Sequence, residues 1–313
     1  MRVVFLGTSG SVPTKERNPP SIALVMNGEY ILMDVGDGTQ KQIIKSGLGF
    51  SRLKRIFITH LHGDHFLGLF PMLQTMSILR RRGKLEIYSP PGLRDIIDEL
   101  RSKADFRVTF ELEVIEVDKD SSFNFGKYKI KLFRVEHGDV LTFGVRVKEA
   151  DRPGKFNAEK AEQLGIPPEL RGLLLKGIPV RTIDGRLVMP EEVVGPPRPG
   201  RLVVYSSDTR PSSSVVENAQ GADLLIHDAT FRDDLKDRAI TTGHSTVGEA
   251  CEVAKRAGVK MLALTHLSAR YKEQDIPLIE EEARKIFPNS FVARDLMSVE
   301  IPLPEREIEA REE

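Results

Sequence analysis

RIFITHLHGDH, residues 55–65, joins an apolar, β-branched run to His60, His62, Asp64 and His65. Three of the seven histidines in the chain fall in six residues here. Imidazoles alternating with a carboxylate are the donors that a divalent cation of intermediate softness takes. The strand end fixes the first donors, Gly63 allows a tight turn, and a helix start presents Asp64 and His65. A polar loop with satisfied histidines accounts poorly for four potential ligands so close together.

One such segment cannot fill the shells of two ions, so distant Asp and His at the ends of apolar runs matter. His137 follows KIKLFRV, Asp208 closes LVVYSSD and His266 closes MLALTH. Each would be a side chain held on rigid scaffold, which is what a ligand needs.

Around these points, short β-branched runs alternate with amphipathic stretches. Strands are predicted at residues 3–6, 21–26, 30–34, 55–59, 85–88, 111–117, 128–135, 142–147, 202–206, 224–226, 261–265 and 298–301. Helices are predicted at 39–46, 66–82, 93–103, 213–219, 246–257 and 277–286. A sheet core covered by helices follows, an α/β architecture. Residues 148–201 break the rhythm with 8 of the 19 prolines and 7 of the 25 glycines, and read as an inserted arm or extended loop. Residues 306–313 read as a charged, solvated tail.

Composition sets the outer bounds. With 40% hydrophobic residues among 313, the chain can bury a core, which excludes disorder. Lys plus Arg and Asp plus Glu both number 46, so no global field draws in nucleic acid or a membrane, and an anionic substrate must be held by local charge. Cys251 is alone, which excludes an internal disulfide, and its helical setting reads as a buried small residue. No eighteen-residue apolar run occurs and residues 1–7 read as a strand, so neither a membrane span nor a leader is expected and the expected location is cytoplasmic.

HLHGDH followed in order by His137, Asp208 and His266 resembles the metallo-β-lactamase superfamily over nearly the whole chain. FLGTSGSVPTKERNPPS, DVGDGTQ, LIHDATF and GHSTVGEA further resemble the ribonuclease Z family of tRNA 3′-processing endonucleases. The resemblance implies a four-layer αββα sandwich, with residues 1–147 and 201–305 as the catalytic domain and 148–200 as an inserted tRNA-binding exosite arm. It implies two Zn2+ per subunit, Mn2+ and Co2+ also suiting the donors. His60, His62 and His137 would bind one ion, Asp64, His65 and His266 the other, and Asp208 both. It implies two-metal hydroxide attack on a phosphodiester, with Asp64 taking the nucleophile's proton and His244, charged by Asp228, protonating the leaving oxygen. The substrate implied is precursor tRNA, cut by a homodimer to a 3′-hydroxyl tRNA and a 5′-phosphate trailer. The family has Glu where this chain has Asp228, a carboxylate one methylene shorter.

Other residues read more plainly. Asp34 and Asp37 are expected to organise their turn, and His227 to be a core histidine. Arg80, Arg81 and Arg82 suit a helix C-terminus or an RNA contact equally. Lys15 and Arg17 are candidates for RNA backbone contact. Rival readings are a lactamase, thioester hydrolase or small phosphodiesterase of the superfamily, a non-catalytic zinc scaffold, and a nucleic-acid-binding module. The arm, the GHST phrase, Asp64, Asp208 and His244 argue against them.

Overall fold

Val4, Ala23, Leu32, Ile56, Ile87 and Val114 lie opposite one another across six strands and are buried in a single cluster. Their neighbours Phe5, Ile22, Met33 and Phe57 are equally buried on the other face. Strands buried on both faces belong to a sheet inside a layered structure. The computed structural model describes residues 1–303, and the tail at 306–313 lies outside the described residues.

The first sheet has seven strands in the order Ser298–Glu300, Arg2–Gly7, Ser21–Met26, Glu29–Met33, Leu53–Phe57, Leu85–Ser89 and Leu112–Glu116. Ile43, Leu69, Met72, Leu73 and Ile97, from the helices Thr39–Lys45, Leu69–Ile78 and Leu93–Lys103, cover its outer face. The second runs Ser290–Val292, Leu262–Thr265, Leu224–Asp228, Leu202–Tyr205, Phe143–Glu149, Tyr128–Arg134 and Ser121–Asn124. Its outer face carries Val215, Cys251, Val253, Ile279 and Ala283 from the helices Ser213–Asn218, Val247–Ala257 and Ile276–Ile286. Phe5 meets Phe291 edge-on at 6.3 Å and Tyr88 meets Phe123 at 4.6 Å, which places the sheets face to face. The chain thus has the αββα sandwich of the metallo-β-lactamase fold.

The predicted helix over 66–82 is two helices, Gly63–Phe66 and Leu69–Ile78. Gly68 donates to Val35 at 3.0 Å, and a Cβ there would stand 2.0 Å from the Gly36 carbonyl. Close passage of the DVGDG loop therefore breaks the helix. The strands Ser121–Asn124 and Ser290–Val292 and the helix Lys236–Thr242 were not predicted, being too short and polar to show a period.

The chain divides into two compact units, the sandwich over Met1–Phe125, Lys129–Val147 and Leu202–Pro302, and a smaller one built on Lys148–Arg201 with Gly126–Tyr128. The smaller unit is no extended loop, since Ala161, Ile166, Leu174, Val180, Val188 and Val193 form a core of its own. Asn157 caps the helix Ala158–Gln163 by accepting from Lys160 N–H at 2.9 Å, and Pro168 opens the helix Pro168–Leu174. Arg201 and Glu149 close it with a two-pronged ion pair at 2.6 and 2.7 Å. A Cβ at Gly154 would stand 1.8 Å from the Gly195 carbonyl, so its Gly-Pro phrases let two backbone segments touch. Among the described residues no helix is long and apolar enough to cross a membrane.

Candidate metal centre

The carboxyl ends of strands from both sheets converge on one edge of the sandwich. His60 and His62 follow Leu53–Phe57, Asp64 and His65 open the short helix Gly63–Phe66, and His137, Asp208 and His266 follow three strands of the second sheet. His62 Nδ1 lies 3.1 Å from His60 Nε2 and 3.2 Å from His137 Nε2. Asp208 Oδ2 lies 3.3 and 3.2 Å from Nε2 of His65 and His266, and 3.9 Å from Nε2 of both His60 and His137. Asp64 Oδ2 is 3.6 Å from Nε2 of both His65 and His266.

Among the described residues four donor groups are compact enough to share an ion: His60, His62 and His137; Asp64, His65 and His266; His60, His65 and Asp208; and Asp208, Asp228, His244 and His266. Four of the five rings are anchored through Nδ1. His65 bonds Asp34 at 2.8 Å, His137 the Gly243 carbonyl at 2.9 Å, His60 Thr59 Oγ1 at 3.0 Å and His266 Thr230 Oγ1 at 2.8 Å. A carboxylate or carbonyl partner fixes the proton on Nδ1, so the Nε2 lone pair faces inward, as in metal-binding imidazoles. Nε2 of His65 and His266, though close to Asp208 Oδ2, and Oδ1 of Asp208 are buried without a well-aligned hydrogen bond. Unpaired polar atoms in a dry site are costly, and a cation is the partner that would satisfy these. The donor set therefore fits the divalent metal that the fold implies. Burial opposes the charge of Asp208, but His266 and His65 outweigh it and hold the carboxyl well below the usual range.

Asp34 was expected only to organise its turn, and the structure gives it more to do. Fully buried, it accepts from Thr59 N–H at 2.8 Å, Thr59 Oγ1 at 3.0 Å, His65 Nδ1 at 2.8 Å and Tyr205 O–H at 3.0 Å. The available signal was its place at the end of the apolar run EYILM, the same place that marks the candidate ligands. Thr59, Thr230 and Tyr205 gave no such signal, because hydroxyls at strand ends are common. Asp34, Ser207 and His266 all hold positive φ, at 60°, 58° and 62°. Three non-glycine residues in that sparsely populated region at one edge mark stored strain of the kind found at functional sites.

Beside the cluster, His244 Nδ1 meets Asp228 Oδ2 at 2.8 Å, so the shorter side chain reaches. Asp228 also accepts from Thr209 N–H at 3.0 Å, Thr230 N–H at 2.9 Å and Thr230 Oγ1 at 2.7 Å, which fixes it as an ionised acceptor. Burial would push the His244 ring down, but the charge and hydrogen bond of Asp228 outweigh it and raise the ring to about 9.

Other sequence candidates fall elsewhere. His227 is fully buried with Nδ1 bonded to the Asp228 carbonyl at 2.7 Å, a core histidine. Asp37 and Lys15 are exposed. Arg17 corrects its expected role: it is buried and donates to the carbonyls of Ser268 at 3.2 Å and Tyr271 at 2.7 Å, stapling two loops rather than meeting RNA. Arg81 likewise donates to the carbonyls of Phe50, Leu53 and Lys84, while Arg80 and Arg82 stay exposed.

Residues 1–150 match a family profile described as Anti-Pycsar protein Apyc1, and residues 173–267 one described as Beta-lactamase superfamily domain. Ribonuclease Z of Archaeoglobus fulgidus is 45% identical over 308 residues, covering 97% of this chain and 99% of its own. Ribonuclease Z of Methanosarcina mazei is 43% identical over 303 residues, covering 96% and 98%. Among solved structures, the short form of human tRNase Z is 30% identical with a TM-score of 0.69, covering 96% of this chain and 100% of that one.

Proposed function

The chain belongs to the ribonuclease Z family, and from that premise we propose that it is a zinc-dependent endoribonuclease which removes the 3′ trailer from precursor tRNA. The products are a tRNA with a 3′ hydroxyl and a trailer with a 5′ phosphate. The observation that carries the reading is the convergence on Asp208 of buried donor atoms that make no well-aligned hydrogen bond. His60, His62 and His137 would hold one ion, Asp64, His65 and His266 a second, with Asp208 shared. Bound there, two divalent ions supply an acidified water as nucleophile and offset charge on the phosphodiester.

The remaining steps fall to the chain's own side chains. Asp64, aimed by a 3.0 Å bond from Ser11 N–H to its Oδ2, accepts the nucleophile's proton. A ribose 3′ alkoxide leaves poorly without a proton, so an acid must stand at the opposite side of the phosphorus. His244 can serve because Asp228 occupies Nδ1 and keeps the ring charged, leaving Nε2–H to donate. As the bond from phosphorus to the 3′ oxygen breaks, that oxygen takes the proton and becomes the 3′ hydroxyl of the tRNA.

The arm, residues 148–200, would grip the tRNA away from the cut, one subunit of a cytoplasmic homodimer serving the site of the other. Residues 148–201 hold ten basic and eight acidic side chains, so recognition rests on shape and a few backbone contacts rather than on bulk charge. Removing residues 154–199 should raise KM for precursor tRNA while hardly changing hydrolysis of bis(p-nitrophenyl) phosphate. Equal losses on both substrates would contradict the arm's role. The reading itself is tested by mapping the ends made from a 3′-extended precursor tRNA by the metal-loaded protein. Cleavage beside the discriminator base with a 3′ hydroxyl supports it, and hydrolysis of the small ester alone overturns it.

A further inference from the structure

Arg210 stands two residues beyond Asp208, and its guanidinium reaches the main chain of His244. It donates through Nη1 to the His244 carbonyl, and through Nη1 and Nη2 to Glu249 Oε2 and Oε1 at 2.8 and 2.7 Å. Glu249 is no free acceptor: its Oε2 takes the Thr246 N–H at 3.0 Å, and its own N–H bonds Thr246 Oγ1, forming the capping box of the helix Val247–Ala257. The stem of Arg210 is anchored too, since its N–H donates to the Glu136 carbonyl at 2.7 Å.

The segment that carries His244 is thereby held at three consecutive residues. The Gly243 carbonyl meets His137 Nδ1 at 2.9 Å, the His244 carbonyl meets Arg210, and Ser245 Oγ donates to the Thr209 carbonyl at 2.6 Å. Beside the Asp228 bond to the His244 ring, the Arg210 contact brings a guanidinium to the main chain of this segment, and its partner Glu249 is the N3 residue of the next helix. The two side chains are 21% and 14% exposed, so the pair is largely out of solvent and its bidentate geometry is specific. Lys236, 3.6 Å from Glu249 Oε1, lies on its outer side. A general acid that is displaced by a fraction of an ångström loses most of its effect.

We propose that the Arg210–Glu249 ion pair is the positioning element that sets the reach of His244 toward the leaving 3′ oxygen, an inference that rests on reading His244 as the acid. The test uses two substrates that differ in their need for a proton. The tRNA 3′ alkoxide requires one, whereas p-nitrophenolate leaves without it. Arg210→Met removes the guanidinium at similar length, and Glu249→Gln keeps an acceptor for the cap while removing the charge. In both, the ratio of precursor-tRNA turnover to bis(p-nitrophenyl) phosphate turnover should fall at least about tenfold. KM for the tRNA should stay within about twofold, and bound metal should equal that of the parent protein. Arg210→Lys should recover part of the ratio. Parallel loss of both activities, or loss of metal, would reduce the pair to a fold stabiliser and overturn the proposal. His244→Ala is measured alongside. If it lowers the ratio and the Arg210 and Glu249 variants do not, the positioning proposal fails alone; if it does not, the acid reading beneath it fails.

Discussion

The two sheets supply the same edge of the sandwich in different ways. The first delivers His60, His62, Asp64 and His65 from one run of six residues, held by a strand end and one short helix. The second delivers His137, Asp208, Asp228, His244 and His266 from points spread across residues 137–266. What brings these together is topology: Leu202–Tyr205, Leu224–Asp228 and Leu262–Thr265 are adjacent and parallel, so their carboxyl ends lie side by side. Residues just past such ends meet whatever lies between them in sequence. A contiguous donor set needs only local structure, whereas a dispersed one needs the whole sheet in register.

The halves are also joined behind the donors, where Tyr205 of the second sheet donates to Asp34 of the first, which holds His65. Substitutions that cut one half from the other should sharpen this contrast. Asp208→Asn, which weakens the carboxylate that lies within 4 Å of His60 and His65 of one half and His137 and His266 of the other, should cost more than the about 10²-fold that a change outside the ligands costs, with bound metal lost as well. Turnover and metal content measured on the same sample check it, and full metal retention would break it. Asp34→Asn should weaken metal binding by about 10–100-fold, read by competition with a chromophoric chelator. Tyr205→Phe should remove about 1 kcal/mol of stability in urea unfolding, since it deletes one buried hydrogen bond.

The last effect concerns pH in protein stripped of metal. His244 titrates at about 9 when folded, above its ordinary 6.5, so its stabilising contribution is full below about 6.5 and disappears as pH rises through about 9. The stability difference between the parent and His244→Gln should therefore shrink between neutral pH and about 10 in urea titrations. A constant difference would mean that Asp228 does not charge the ring.

The contrast between the halves also explains what the sequence could tell. HLHGDH was legible because its chemistry is local, and the distant His137, Asp208 and His266 because each ends an apolar run. Asp34 ends such a run too, but an Asp-Gly turn explains itself without a partner across the fold. The helix break at Gly68 depends on the passage of Gly36, and the burial of Arg17 on carbonyls over 250 residues away. The helices of the arm were hidden because each has only six or seven residues, too few to show a period. The Arg210–Glu249 pair was illegible because two charges 39 residues apart carry no mark of meeting.

The central claim, that both halves together build one two-metal centre, is tested most directly by counting zinc per chain after reconstitution, in the parent and in Asp208→Ala. The account predicts two ions per parent chain and fewer than one in the variant. Two ions retained without Asp208, or only one in the parent, would contradict it.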